Sequence, residues 1–247
     1  MSYSIICSVV GGLILGFGLD VAIRRLPLTL FPELRVAQED STRPPASARV
    51  GRQAPRLSWR VQCARVAPTA VVMLLGVAIT AWATNRFGFT GSAAVHAAWL
   101  CGLVVLAGID LRQYLLPDLL TYGLLGLAVI ASIAGLSGVD LVQAICGAIL
   151  GYAVLWALNA SYRRVRRTDG FGGGDLKMMA SLGGWLGPAG VIDVLTLSSV
   201  MALVCSATIS LLKSQRLSLQ SRIPFGPFLA FAAAALVVSQ TVGARAG

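Results

Sequence analysis

The chain has 247 residues, 56% of them hydrophobic and only 12% charged, with a mean hydropathy of +0.78. A soluble domain carries about 25% charged residues, so this deficit excludes an ordinary soluble globule and points to a polytopic membrane protein. The net charge of +10 would suggest nucleic acid in a soluble chain, but here the basic residues fill short gaps between apolar runs, which is a topology pattern rather than a nucleic-acid surface.

A helix needs about 20 apolar residues to cross a bilayer. In chain order the sequence predicts eight such spans, at 4–23, 67–84, 92–111, 118–136, 138–160, 175–190, 191–212 and 224–242. The first is followed by no small-residue cleavage site and reads as a retained helix rather than a signal peptide. Residues 26–66 contain Pro32, Pro44, Pro45 and Pro55 and few aliphatic runs. That stretch is too short and too polar to bury a core of its own, so the chain divides into residues 1–66 and a membrane domain, 67–247. The stretch 175–212 exceeds one crossing, and Gly187-Pro188 inside it predicts a turn between two short helices.

Arginines set the orientation. Arg24 and Arg25 close the first span, seven more arginines occupy the loop that follows, and Arg112 ends the third. Arg163, Arg164, Arg166 and Arg167 follow the fifth span, while Lys213, Arg216 and Arg222 follow the seventh. With eight spans all these gaps fall on one face, leaving only Arg86 and Arg245 on the other. The positive-inside rule then puts both termini outside, in the periplasm, and the basic loops in the cytoplasm.

Five cysteines stand singly, with no CxxC pair, so neither a zinc site nor a disulfide framework is legible. His96 is the only histidine, which excludes a two-histidine metal site. Its place near the outer end of a span reads as structural. Trp156 and Trp185 read as packing or interface anchors.

Ionised carboxylates near hydrocarbon are costly and usually functional. Asp20, Asp110, Asp118 and Asp175 are the four to explain. Asp110 ends span three, Asp118 opens span four after Pro117, and Asp175 opens span six, so topology gathers these three at one membrane depth. Two carboxylates brought together hold one proton between them. One can then take a proton from water while the other donates to a carbonyl oxygen, which is enough to hydrolyse a peptide. Gly170, Gly172, Gly173 and Gly174 just before Asp175 would let an extended chain lie close to the backbone. Plainer readings stand beside this one. Asp175 can be a helix cap, Asp118 a helix-start acid and Asp110 an ion-pair partner of Arg112. Asp20, one turn from Arg24, reads first as an i,i+4 pair.

The stretches IDLRQYLLPD, GFGGGDLKMMASLGGWLG and IPFGPFLA, in this order, resemble the type IV prepilin peptidases, the GxGD aspartic proteases of bacterial inner membranes. LILGFGLDVAIRRLP is similar to that family's first helix, with its closing Arg-Leu-Pro. The resemblance covers nearly the whole chain apart from the first loop. It implies an all-α membrane aspartic endopeptidase with Asp110 and Asp175 as the catalytic pair and Gly172 and Gly174 in the glycine motif. Asp118, in Leu116-Pro117-Asp118, and Lys177, two residues past the second aspartate, take supporting positions.

The implied activity removes the basic leader of a type IV prepilin or type II secretion pseudopilin. The cut falls after a glycine on the cytoplasmic face and leaves the apolar stem in the membrane. Proteolysis of this kind needs no metal or cofactor. Relatives often also methylate the new amino terminus with S-adenosylmethionine. Two departures bear on that step: the first loop holds Cys63 but no CxxC pairs, and residues 66–73 lack the acidic residue usual after it. Asp20 stands where the family usually has asparagine. Two other classes remain open. A proton-coupled transporter would need midplane acids and repeated halves, and the third class is a catalytically silent membrane component of a pilus or secretion machine.

Overall fold

The computed structural model describes residues 2–30, 69–114, 116–167, 170, 172–213 and 224–243. The boundary at residue 66, Cys63 and most of the first loop lie outside the described residues. Within them the chain is all helical. The elements are α1 (Ser2–Leu30), α2 (Thr69–Phe87), α3 (Gly91–Gln113), α4 (Asp118–Ile133), α5 (Leu141–Arg166), α6 (Gly173–Lys213) and α7 (Gly226–Gly243).

Among the described residues, three helices are long and apolar enough to cross a membrane by length and composition: α3, most of α5 and most of α6. Shorter apolar helices lie at Val71–Phe87, Asp118–Ile133 and Gly226–Gln240. The outer surface matches. Val142, Ile149, Val165, Leu203 and Leu211 are each exposed, and a helix that is apolar on its outer face suits lipid rather than water.

α6 does not run straight. Gly187 has φ +75°, a conformation that breaks the helical path ahead of Pro188. A side-chain carbon on Gly183 would meet Val191 Cγ2 at 2.9 Å. Eight residues of straight helix span about 12 Å, so this contact exists only because the chain turns a sharp corner. The turn expected at Gly187-Pro188 is therefore present, between arms 173–186 and 188–213. α1, in contrast, continues to Leu30, past the apolar stretch that ends near residue 23. Hydropathy marks where lipid-compatible side chains stop, and backbone hydrogen bonding carries on beyond it.

Two seams of small residues set the closest helix pairs. Gly12 and Gly16 on α1 face Val77 and Met73 on α2, with Gly76 answering from α2, and a Cβ on any of these three glycines would strike backbone. Gly147 and Gly151 on α5 lie likewise against Gly183 and Met179 on α6. Such small-xxx-small spacing is how membrane helices approach without a hydrophobic driving force between them. The central core draws on α3, α4, α5, α6 and α7, with Trp99, Leu103, Leu106, Leu155, Met178, Met179, Leu182 and Leu229 fully buried.

Candidate active site

α3 starts at Thr90, whose Oγ1 accepts a hydrogen bond from Ala93 N at 3.5 Å, and stops where Tyr114 turns left-handed at φ 55°. Tyr114 N donates back to Asp110 O at 2.9 Å, so Asp110 belongs to the last turn. Its side chain is buried at 5% exposure. The amide of Gly226, the first residue of α7, donates to Asp110 Oδ2 at 3.1 Å. A side chain on Gly226 would collide with that carboxylate, its Cβ falling 2.6 Å from Oδ2. Asp110 forms no ion pair with Arg112 among the described residues. Arg112 instead lies within electrostatic reach of Asp20 and Arg24.

Asp175 lies in the first turn of α6, also buried at 9% exposure. Its Oδ2 accepts from Gly172 N at 3.2 Å, the reach-back bond of a capping box. The expected capping is thus real, and it occupies one oxygen of the two. Gly174 serves packing. Its missing Cβ makes room for Leu116, which such an atom would approach to 2.7 Å. This lets the first turn of α6 settle against the link between α3 and α4. Gly173 faces open space. Upstream, Gly170 N donates to Asn159 Oδ1 of α5 at 2.8 Å, pinning the glycine stretch to that helix.

Asp110 and Asp175 are 65 positions apart in the chain, yet they come within each other's electrostatic reach. Of the supporting residues, Asp118 opens α4 behind Pro117 and binds Lys177 Nζ at 2.6 Å, tying the start of α4 to the start of α6. Lys177 also sits 5.5 Å from the Tyr122 ring. Asp20 forms its expected pair with Arg24 at 2.8 Å. His96 is remote and structural. Its Nδ1 bonds Ser92 O at 2.8 Å, and its ring stacks on Phe87 at 4.4 Å.

Sequence reasoning misses two residues of the site, Gly226 and Asn159. Asn159 is one amide in an apolar helix. Gly226 acts through its backbone alone, and only the IPFGPFLA stretch around it gives a signal. Among the described residues, no three His, Cys, Asp or Glu side chains gather as a metal site would require.

The sequence signature of the type IV leader peptidase family matches residues 97–207, which include both aspartates. A prepilin leader peptidase/N-methyltransferase of Dickeya chrysanthemi is 32% identical, covering 94% of this chain and 91% of its own length. Proteins of the same name from Aeromonas hydrophila and Stutzerimonas stutzeri are 34% and 29% identical, over 89% and 92% of this chain and 85% and 88% of theirs. No solved structure gives a significant match. On this similarity along nearly its whole length, the chain belongs to the type IV leader peptidase family.

Proposed function

We propose that the chain is an aspartic endopeptidase of the bacterial inner membrane that removes the leader of type IV prepilins or type II secretion pseudopilins. Asp110 and Asp175 form its catalytic pair. The observation that carries this reading is the pair itself: two buried carboxylates within electrostatic reach, each with one oxygen held by a glycine amide. The amide bonds leave the Oδ1 atoms for a shared proton and for substrate.

In hydrolysis the ionised aspartate takes a proton from water, whose oxygen attacks the scissile carbonyl carbon. The protonated aspartate donates to the carbonyl oxygen. Collapse of the tetrahedral intermediate breaks the C–N bond, and the proton gained from water passes to the leaving amine. The two carboxylates titrate as one unit, so acid and base are roles of the pair. Asp118 and Lys177 hold the starts of α4 and α6 in register, and Gly172 and Gly174 shape the turn that presents Asp175.

In this reading α6 makes two crossings, which with the other six helices gives eight spans. Both termini are periplasmic, and the aspartates lie near the cytoplasmic face beside the basic loops. Residues 1–66 contribute the first helix and a basic loop, and residues 67–247 the peptidase domain. N-methylation, the second activity in the relatives' names, would require S-adenosylmethionine. The apolar cleft nearest Asp110 offers that molecule almost no hydrogen-bonding partner, so no residue of this site is assigned to methyl transfer.

The test is to incubate membranes carrying the protein with a prepilin and S-adenosylmethionine and read product mass. Loss of the leader mass is expected, and any added methyl is read in the same spectrum. Asp110→Asn and Asp175→Asn should each reduce cleavage by about 10³-fold or more, at normal protein levels. Near wild-type processing by either variant would refute the assignment.

A further inference from the structure

Among the described residues, Asp20 is the third buried carboxylate beside Asp110 and Asp175, and the proteolytic scheme leaves it unused. It lies on α1 at 4% exposure. Its Oδ2 meets Arg24 Nε at 2.8 Å, yet the two partners differ in setting: the arginine side chain is 48% exposed and the acid is inside. An i,i+4 pair on a free helix surface would leave both in water. This acid is instead set against a neighbouring helix, and that neighbour is α3.

α1 docks along one stripe of α3. Leu19 and Ile23 pack with Cys101, Val105 and Ile109. Gly108 admits Ile23, whose Cδ1 would lie 2.7 Å from a Cβ at that position. Arg112, one turn past Gly108, continues the stripe and lies within electrostatic reach of both Asp20 and Arg24. Each residue of a helix turns by about 100°, so Gly108 and Arg112 both stand about 200° from Asp110. α1 therefore covers the back of the turn whose front presents Asp110 to the Gly226 amide.

Resting on the proteolytic reading above, we propose that Asp20 is a positioning residue for cleavage, holding α1 against the back of the turn that carries Asp110 and so setting how Asp110 faces Asp175. Two arginines meet at this corner, one from each helix. Uncompensated, they repel, and at partial burial water screens them poorly. Asp20 supplies the negative charge that both feel. Without that charge, Arg24 can turn to solvent, but Arg112 is fixed two residues past Asp110 on the last turn of α3. Any retreat of Arg112 from α1 carries Asp110 with it.

The experiment reads leader cleavage by the full-length protein in lipid nanodiscs, with intact prepilin as substrate and rates divided by the amount of folded protein. Asp20→Asn should lower kcat about tenfold and leave KM within about twofold, since the turn moves while the substrate's own contacts do not. Raising KCl from about 0.05 M to about 0.5 M should narrow the gap to wild type, because half-exposed Arg24 is open to screening. In an Arg112→Gln background the same change should cost no more than about twofold, because the repulsion it releases is gone. An equal cost of Asp20→Asn in both backgrounds overturns the proposal. So does a wild-type kcat in the single variant, a gap indifferent to salt, or a rise in KM alone, which would put Asp20 on the substrate. Where Asp20→Asn does not accumulate, the double variant decides. Accumulation with kcat near that of Arg112→Gln supports the proposal; anything less makes Asp20 a requirement of the whole fold and overturns it. A wild-type protein that does not cleave prepilin overturns the proteolytic reading itself, an outcome distinct from every result on the variants.

Discussion

At its two ends α3 meets α6 by different means. Near the α2–α3 turn the contact is made of rings. Trp99 stacks on Trp185 at 4.7 Å, and His96 sets its edge to Trp185 at 5.0 Å, with Phe87 and Trp82 closing the cluster. At the other end, eleven residues and about 16 Å further along α3, Asp110 and Asp175 come within electrostatic reach. Stacked rings attract without any partner's help, and each pair adds roughly 0.5–1.5 kcal/mol beyond its packing. Two carboxylates come together only when they share a proton, so each is oriented from its own side: the Gly226 amide of α7 holds Asp110, and the Gly172 amide holds Asp175 at the start of α6. The ring end keeps the helices together, and that fixed spacing lets the carboxylate end tolerate an unfavourable juxtaposition that chemistry can use.

The sharpest way to break this division of labour is Gly226→Ala. The new methyl must displace the Asp110 carboxylate or the start of α7, since it would lie 3.1 Å from Asp110 Cγ and closer still to Oδ2. Cleavage should fall about 100-fold or more, because small misplacement of a reacting group is costly. The amount of folded protein should stay near normal, as no core contact is removed. Leader cleavage measured beside membrane protein level checks this. A collapse of protein level with activity per molecule preserved would reverse the roles of the two ends.

Trp99→Ala makes the opposite prediction. Trp99 is fully buried, and its removal leaves a large cavity at the ring end. The expected cost is about 3 kcal/mol or more of stability, read as a lower unfolding temperature in detergent or lipid. Cleavage per folded molecule should stay within about threefold of wild type, since the site lies a full three turns away. A loss of catalysis that exceeds the loss of folded protein would show that ring spacing tunes the carboxylate pair directly.

Why the sequence displays some of this and hides the rest follows from the kind of signal each residue leaves. Asp110 and Asp175 are legible because a charge inside an apolar run stands out on its own. The Gly187-Pro188 corner is legible because both residues carry strong backbone preferences, and the Asp20–Arg24 pair because one helical turn fixes the geometry. Gly226 acts on Asp110 across 116 positions through a backbone amide, which every residue but proline possesses. Nothing in its side chain announces the bond. The Lys177–Asp118 pair spans 59 positions, and only the packing of α4 against α6 brings it together. The aromatic residues are readable one by one as packing groups, but a cluster drawn from three helices is a property of the fold. Gly174 carries a different lesson. The glycine run suggests room for a substrate, and at this position the room is taken by Leu116.

A finer probe of the carboxylate end is Lys177→Met. The Lys177–Asp118 bridge is short, but Asp118 is well exposed, so solvent and salt screen it. Leader cleavage should drop only about two- to fivefold, and the gap between variant and wild type should narrow as salt rises. A gap that is independent of salt, or a loss comparable to that of Gly226→Ala, would mean that Lys177 touches the substrate rather than the frame.

The smallest effect belongs to His96→Phe. His96 is the chain's only histidine, and a pH-dependent activity near neutrality would naturally be ascribed to it. Its ring is buried among aromatic neighbours and bonds the carbonyl of Ser92, one turn back on its own helix. It lies fourteen residues before Asp110, about 21 Å along α3. Phenylalanine keeps the stack and loses one hydrogen bond to a helix carbonyl that the amide one turn on already uses in regular helix geometry. Activity should remain within about twofold across the pH range, with the shape of the pH profile unchanged. If the profile instead loses a limb, the ring end takes part in proton handling, and the separation between a structural end and a chemical end fails at its most conservative test.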